Sequence, residues 1–78
     1  MKVLCFGIAR EIIGQSQYEI TDQKLETVSV LKTFLQTEFP SFSQYKQFQI
    51  AVNQEFVDDN HTIGQNDEIA IIPPVSGG

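Results

Sequence analysis

Residues 27–40 read TVSVLKTFLQTEFP, and the place of this stretch in the chain decides the fold. Thr27 suits a helix N-cap, because its hydroxyl can accept from the unpaired backbone N–H groups of a first turn. Val28, Leu31, Leu35 and Phe39 recur at three- and four-residue steps with Phe34 beside them, so they predict one apolar helical stripe. Pro40 stops the helix, since proline has no N–H to donate and its ring collides with the preceding turn. A helix with one apolar stripe must lay it on another layer, and the flanking residues supply that layer.

Upstream, KVLCFGI (2–8) is apolar and partly β-branched and predicts a strand. AREIIG (9–14) reads as a turn punctuated by Gly14. QSQYEI (15–20) alternates, with Tyr18 and Ile20 on one face, and predicts a second strand paired to the first like a hairpin. Downstream, SFSQYKQF (41–48) fits either a short helical turn or a loop. QIAVN (49–53) and EFV (55–57) predict two strands joined by a tight turn at Asn53-Gln54. DDNHTIGQND (58–67) reads as loop, and EIAIIP (68–73) as a last strand ended by Pro73-Pro74. The order is β-β-α-β-β-β, without internal repeats. Hairpin, crossover helix and returning strands within 78 residues predict an α+β β-grasp: a mixed sheet of about five strands with one main helix packed on one face. The expected division is a β-grasp domain over 1–74 and an extended tail over 75–78.

Strand parity then assigns the two sheet faces. If Lys2 points outward, so do Leu4 and Phe6. If Glu68 points outward, so do Ala70 and Ile72. A face carrying Leu4, Phe6, Ala70 and Ile72 is too apolar to stay bare in water. It is either a protein interface or, with the register slipped by one residue, part of the core.

Composition bounds the chemistry. The hydrophobic share of 41% and charged share of 19% are those of an ordinary folded domain. No apolar run reaches membrane-spanning length, and the first ten residues lack a small-residue cleavage site. Cys5 is the single cysteine, so neither a disulfide nor a cysteine-based metal site is available, and a reducing, cytoplasmic setting is expected. The net charge of −5 arises entirely after Lys46, where Glu55, Asp58, Asp59, Asp67 and Glu68 have no basic neighbour in sequence. That surface disfavours nucleic acid and anionic membranes. It either solvates the protein or steers it toward a basic protein partner. His61, the one histidine, lies in a polar loop without a nucleophile nearby in sequence. Asp58-Asp59 lacks the spacing of a calcium loop, and the glycines follow no phosphate-binding pattern. No metal and no bound cofactor are expected.

The chain ends PPVSGG (73–78). A terminal Gly77-Gly78 adds nothing to a core, a helix or a sheet. It is either a frayed end or a carrier of a working carboxylate. After the prolines, Val75, Ser76, Gly77 and Gly78 in extended form would reach roughly 13 Å. Glycines have no side chain to obstruct a narrow channel.

Three segments, KVLCFGIAREIIG at the start, AVNQEFV in the middle and DEIAIIPPVSGG at the end, together resemble the small subunit family of molybdopterin synthase, ubiquitin-like sulfur carriers of molybdenum cofactor biosynthesis. The likeness covers nearly the whole chain except 38–49. It implies that the Gly78 carboxylate is adenylated by an ATP-dependent activating enzyme and converted to a thiocarboxylate. The tail, with Val75, Ser76 and Gly77, would then enter the large synthase subunit and give sulfur to cyclic pyranopterin monophosphate. The resemblance further implies a heterotetramer with the large subunit, an isolated chain that is not itself catalytic, and an interface formed by Phe6, Phe56 and Ile72. Two other readings share the Gly-Gly tail: a sulfur carrier for thiamin thiazole synthesis, against which the full PPVSGG ending argues, and a ubiquitin-like protein modifier joined to lysines through Gly78.

Overall fold

The computed structural model describes residues 1–21, 25–44 and 48–72. Strands β1 (Lys2–Cys5) and β2 (Gln17–Glu19), helix α2 (Val28–Glu38), and strands β3 (Gln49–Val52), β4 (Glu55–Phe56) and β5 (Glu68–Ile72) all fall where the residue pattern predicts them. They form one five-stranded sheet in the order β2-β1-β5-β3-β4. The central pair β1 and β5 is parallel and the other pairings are antiparallel. The β-grasp expectation is therefore met.

One element departs from the expected series. The strand predicted over 2–8 ends at Cys5, and the turn predicted over 9–14 is a second helix, α1 (Gly7–Ile13). Gly7 takes φ 55 and redirects the chain out of β1. Gly14 ends the helix at φ 84, its N–H donating to the Arg10 carbonyl at 2.8 Å. Ile8, Ala9, Ile12 and Ile13 repeat at the four-residue helical step, and Ala9 and Ile13 are buried. The β-branched isoleucines and flanking glycines conceal a helix this short.

The α2 stripe is as predicted: Val28, Leu31 and Leu35 are fully buried. Thr27 caps the helix, its hydroxyl accepting from Val30 N–H at 3.4 Å. Loop carbonyls complete the N-terminus. Val28 N–H donates to His61 O at 3.1 Å and Ser29 N–H to Asp59 O at 2.9 Å, so orphan donors of the first turn are satisfied by tertiary structure. Lys32 binds Asp59 at 2.7 Å and fastens the loop to the helix flank.

Between helix and β3, Pro40–Gln44 form a 3-10 helix with Phe42 buried. Tyr18, Phe39 and Phe42 meet edge to face at 5.4 and 6.2 Å, and Phe42 meets Phe48 at 5.2 Å. This aromatic chain closes one end of the core, each contact adding on the order of 1 kcal/mol beyond burial. The core combines Val3 and Cys5 of β1, Ile50 and Val52 of β3, and Ile69 and Ile71 of β5 with the buried faces of both helices. No helix among the described residues is long and apolar enough to cross a membrane.

Candidate functional site: an apolar sheet face beside the C-terminal strand

The opposite face of the sheet follows from the register. Leu4 lies across from Gln17 on β2 and Ala70 on β5. Ala70 lies across from Ala51, and Ala51 from Phe56. A continuous row, Gln17–Leu4–Ala70–Ala51–Phe56, therefore crosses all five strands. Val3, Cys5, Ile69 and Ile71 alternate with it and point into the core. The outward parity expected for Lys2, Leu4, Glu68, Ala70 and Ile72 matches the burial pattern of β1 and β5.

This face is graded. At the start of β1 and β5 the register sets Lys2 between Glu19 and Glu68, a charged end that water can solvate. From Leu4 to Phe56 the middle row is apolar. At the far end Ile72 closes β5 opposite Gln49. Phe6, in extended backbone one residue past Cys5, is 49% exposed. Phe56 is 67% exposed on its edge strand. Phe6 and Phe56 are thus large apolar side chains in water at two borders of the apolar row, and burying such rings is worth roughly 1.5–3 kcal/mol each. Parity along β1 and β5 does not reach β4. The pairing of Ala51 with Phe56 brings that ring onto the same face, and Ala51 joins the row between them. Residues 73–78, including Val75, Ser76, Gly77 and Gly78, lie outside the described residues. They continue directly from Ile72, so the chain terminus begins at the apolar end of this face.

The hairpin carrying Phe56 is held by polar contacts. Asn53 and Gln54 both have positive φ, 52 and 72, the geometry of a two-residue hairpin turn. Asn53 Nδ2 donates to Asp67 Oδ1 at 3.0 Å, and Asn53 Oδ1 accepts from Glu68 N–H at 3.0 Å. Asp67 Oδ2 accepts from Gly64 N–H at 2.8 Å. The Gly64 N–H and then the Asn53 amide hold the Asp67 carboxyl below the usual carboxylate range.

Other sequence candidates have structural roles or solvent positions. Cys5 is buried, and desolvation pushes its thiol pKa up, away from the reactive thiolate. His61 is exposed in the loop beside α2. Of the late acids, Asp59 is paired with Lys32 and Asp58 Oδ1 accepts from Asn60 N–H at 3.0 Å. Absence of a basic neighbour in sequence therefore does not leave all five acids free, because Lys32 arrives from the helix. Among the described residues no group of three or more His, Cys, Asp or Glu side chains could hold a metal. Two surface depressions, one beside Gly7, Arg10, Glu11 and Gly14 and one along Lys2, Glu19 and the 65–68 turn, are open to solvent.

The fold is that of a ubiquitin-like β-grasp protein with an apolar outer sheet face next to its last strand. A solved structure from Pyrococcus furiosus, described as molybdopterin converting factor subunit 1, superposes with a TM-score of 0.81 over 95% of each chain at 24% identity, a likeness of fold. The chain belongs to the ThiS family, whose sequence profile matches residues 3–78. The molybdopterin synthase sulfur carrier subunit of Dictyostelium discoideum is 41% identical over 81 residues, spanning 99% of this chain and 94% of that one. A further structure, the complex of subunits 1 and 2 of the molybdopterin-converting factor from Helicobacter pylori, contains a chain that is 26% identical with a TM-score of 0.66, covering 99% of this chain and 96% of its own.

Proposed function

We propose that this protein is the sulfur carrier subunit of a molybdopterin synthase, with the Gly78 carboxylate as its working group. The observation that carries the reading is the apolar face running into Ile72, the residue after which the tail begins. Family membership, the Dictyostelium relative and the ending PPVSGG support it. The body docks through Phe6, Phe56 and Ile72 on the large subunit; that the two subunits of the Helicobacter pylori molybdopterin-converting factor form a complex supports such a partner. Docking outside the catalytic cavity lets a tail without bulky side chains enter it.

The chemistry needs two partners. A carboxylate at neutral pH is a poor electrophile. An ATP-dependent activating enzyme forms an acyl-adenylate at Gly78, releasing pyrophosphate and creating a good leaving group. A sulfur donor displaces AMP and leaves a thiocarboxylate, a better nucleophile than the carboxylate. In the large subunit the thiocarboxylate sulfur bonds to cyclic pyranopterin monophosphate, and water then cleaves the resulting thioester, leaving the sulfur on the pterin and returning the tail to a carboxylate. The chain supplies carriage and presentation, while the partners supply the active sites.

The test is deletion of Gly78. Stability should be unchanged, since a terminal glycine has no side chain to add to a core. Thiocarboxylate formation and sulfur transfer, read by intact mass of the C-terminal peptide and by molybdopterin synthesis, should vanish. The carboxylate then stops about 3.5 Å short, and errors of even ~1 Å can reduce rate on the order of a hundredfold. Full transfer by the deleted chain overturns the reading. Lysine-linked conjugates of higher mass in the source cells would instead favour a protein modifier.

A further inference from the structure

The strand that carries Phe56 has little of its own to hold it. β4 is two residues long, at the sheet edge, with two register pairs to β3. The next ladder contact, Val57 N–H to Ile50 O, is long at 3.4 Å. Phe56 is two-thirds exposed, so its own packing cannot anchor the strand. The turn is also unfavourable, because Gln54 sits at φ 72, and left-handed backbone costs a non-glycine residue roughly 1–2 kcal/mol. Isolated two-stranded hairpins of this kind are marginal in water.

Asn53 offsets these deficits by tying the turn to a third segment. Its backbone N–H donates to Glu68 O at 2.8 Å. Its side chain accepts from Glu68 N–H and donates to Asp67. Asp67 in turn holds Gly64 N–H, and its own N–H donates to Gly64 O at 3.1 Å. The hairpin is thereby fixed to the first residue of β5, the strand whose other end leads to the tail.

Resting on the docking reading above, we infer that Asn53 and Asp67 are positioning residues: their paired side chains hold the β3–β4 hairpin so that Phe56 is already ordered at the edge of the docking face. Ordering a side chain before association removes an entropic cost that binding would otherwise bear. The effect should appear as slower dissociation of the partner.

The experiment measures dissociation of the full chain from the large synthase subunit by surface plasmon resonance, alongside hydrogen exchange and unfolding of the free chain. Asn53→Gly is the main variant, since glycine keeps the positive φ and removes the side-chain bonds. Asp67→Asn is the second, keeping size and altering the acceptor set. Asn53→Gly should weaken binding about tenfold and speed exchange at Glu68, which loses its acceptor, and at Val57, with the β1 amides and those of Ile69–Ile72 unchanged. In a Phe56→Ala background the tenfold loss should disappear, whereas in a Phe6→Ala background it should persist, the non-additivity that marks a coupled pair. Asp67→Asn should move in the same direction by a smaller factor. Unchanged exchange at Val57, or a loss as large in the Phe56→Ala background, overturns the inference. Binding that Phe6→Ala weakens and Phe56→Ala does not overturns the inference and removes Phe56 from the docking face, while the sulfur-carrier reading stands. Failure of the unaltered chain to bind overturns both.

Discussion

The two faces of the sheet are made by the same strands, residue by residue in alternation, yet they meet different fates. Val3, Cys5, Ile69 and Ile71 face the helices and are buried within the chain. Leu4, Ala70 and Ile72, their immediate neighbours, face away and are half-buried. An antiparallel sheet with one wet face ordinarily alternates apolar and polar residues. Here the alternation survives only at the charged end, at Lys2 and Glu68, and fails toward Ile72. One apolar face makes the core, and the proposed function assigns the other to a partner. A residue's apolarity alone therefore does not say which of the two tasks it has.

Adjacent isoleucines give the largest test of this contrast. Ile71 is fully buried and Ile72 half-buried on the opposite face. Ile71→Ala should destabilise folding by roughly 2–5 kcal/mol through lost burial and a cavity. Ile72→Ala should leave stability nearly unchanged and weaken binding to the large subunit, both read by denaturant unfolding and calorimetric titration. Phe6→Asp extends the test: it should weaken binding by about 2 kcal/mol or more without loss of stability. Phe6 stands at the N-cap of α1 with no side-chain cap bond, a site where Asp is favourable. Collapse of stability with Phe6→Asp or Ile72→Ala would place those residues in the core and erase the contrast.

A smaller effect separates the polar clamp from both faces. Asp67 has its pKa lowered in the folded state, by the Gly64 N–H first and by Asn53 second, with a contribution from His61. A lowered carboxyl pKa contributes stability that is present above the ordinary carboxylate range and is lost as pH falls through the folded-state value. Unfolding measured from about pH 5 downward should therefore show a stability loss that is shallower in Asp67→Asn. Equal slopes would mean that the clamp does not depend on the Asp67 charge.

How much of this could be read from residues alone follows from the range of each signal. The α2 stripe, the strands and the facing of Leu4, Ala70 and Ile72 rest on periods of a few residues, so they are legible. Helix α1 hides because seven residues bounded by Gly7 and Gly14 give a short period and mixed propensity. Contacts distant in sequence leave less trace. Lys32 pairs with Asp59, and Phe56 reaches the apolar row only through the register of Ala51 with its two neighbours. Asn53 reads as a turn residue, and nothing near it in sequence shows that its amide spans to Asp67. The Gly78 terminus is legible as chemistry, through resemblance, without any packing argument.

The smallest expected effect is at Gln54, and it asks whether the strain in the turn belongs to folding or to docking. Gln54 occupies the second central position of the hairpin turn at φ 72, where glycine pays no steric penalty and Asn-Gly is the favoured pair. Gln54→Gly relieves that penalty but gives the unfolded chain more freedom, so the two terms oppose. The net should be a stabilisation below about 1 kcal/mol, seen as a small rise in denaturation midpoint with unchanged denaturant sensitivity. The substitution touches neither sheet face and leaves the Asn53 side-chain bonds in place. Affinity for the large subunit should then be unchanged. A gain in stability accompanied by weaker binding would show that the strained turn itself sets the angle of Phe56, and the division between a face that folds and a face that docks would have to include the hairpin turn among the docking elements.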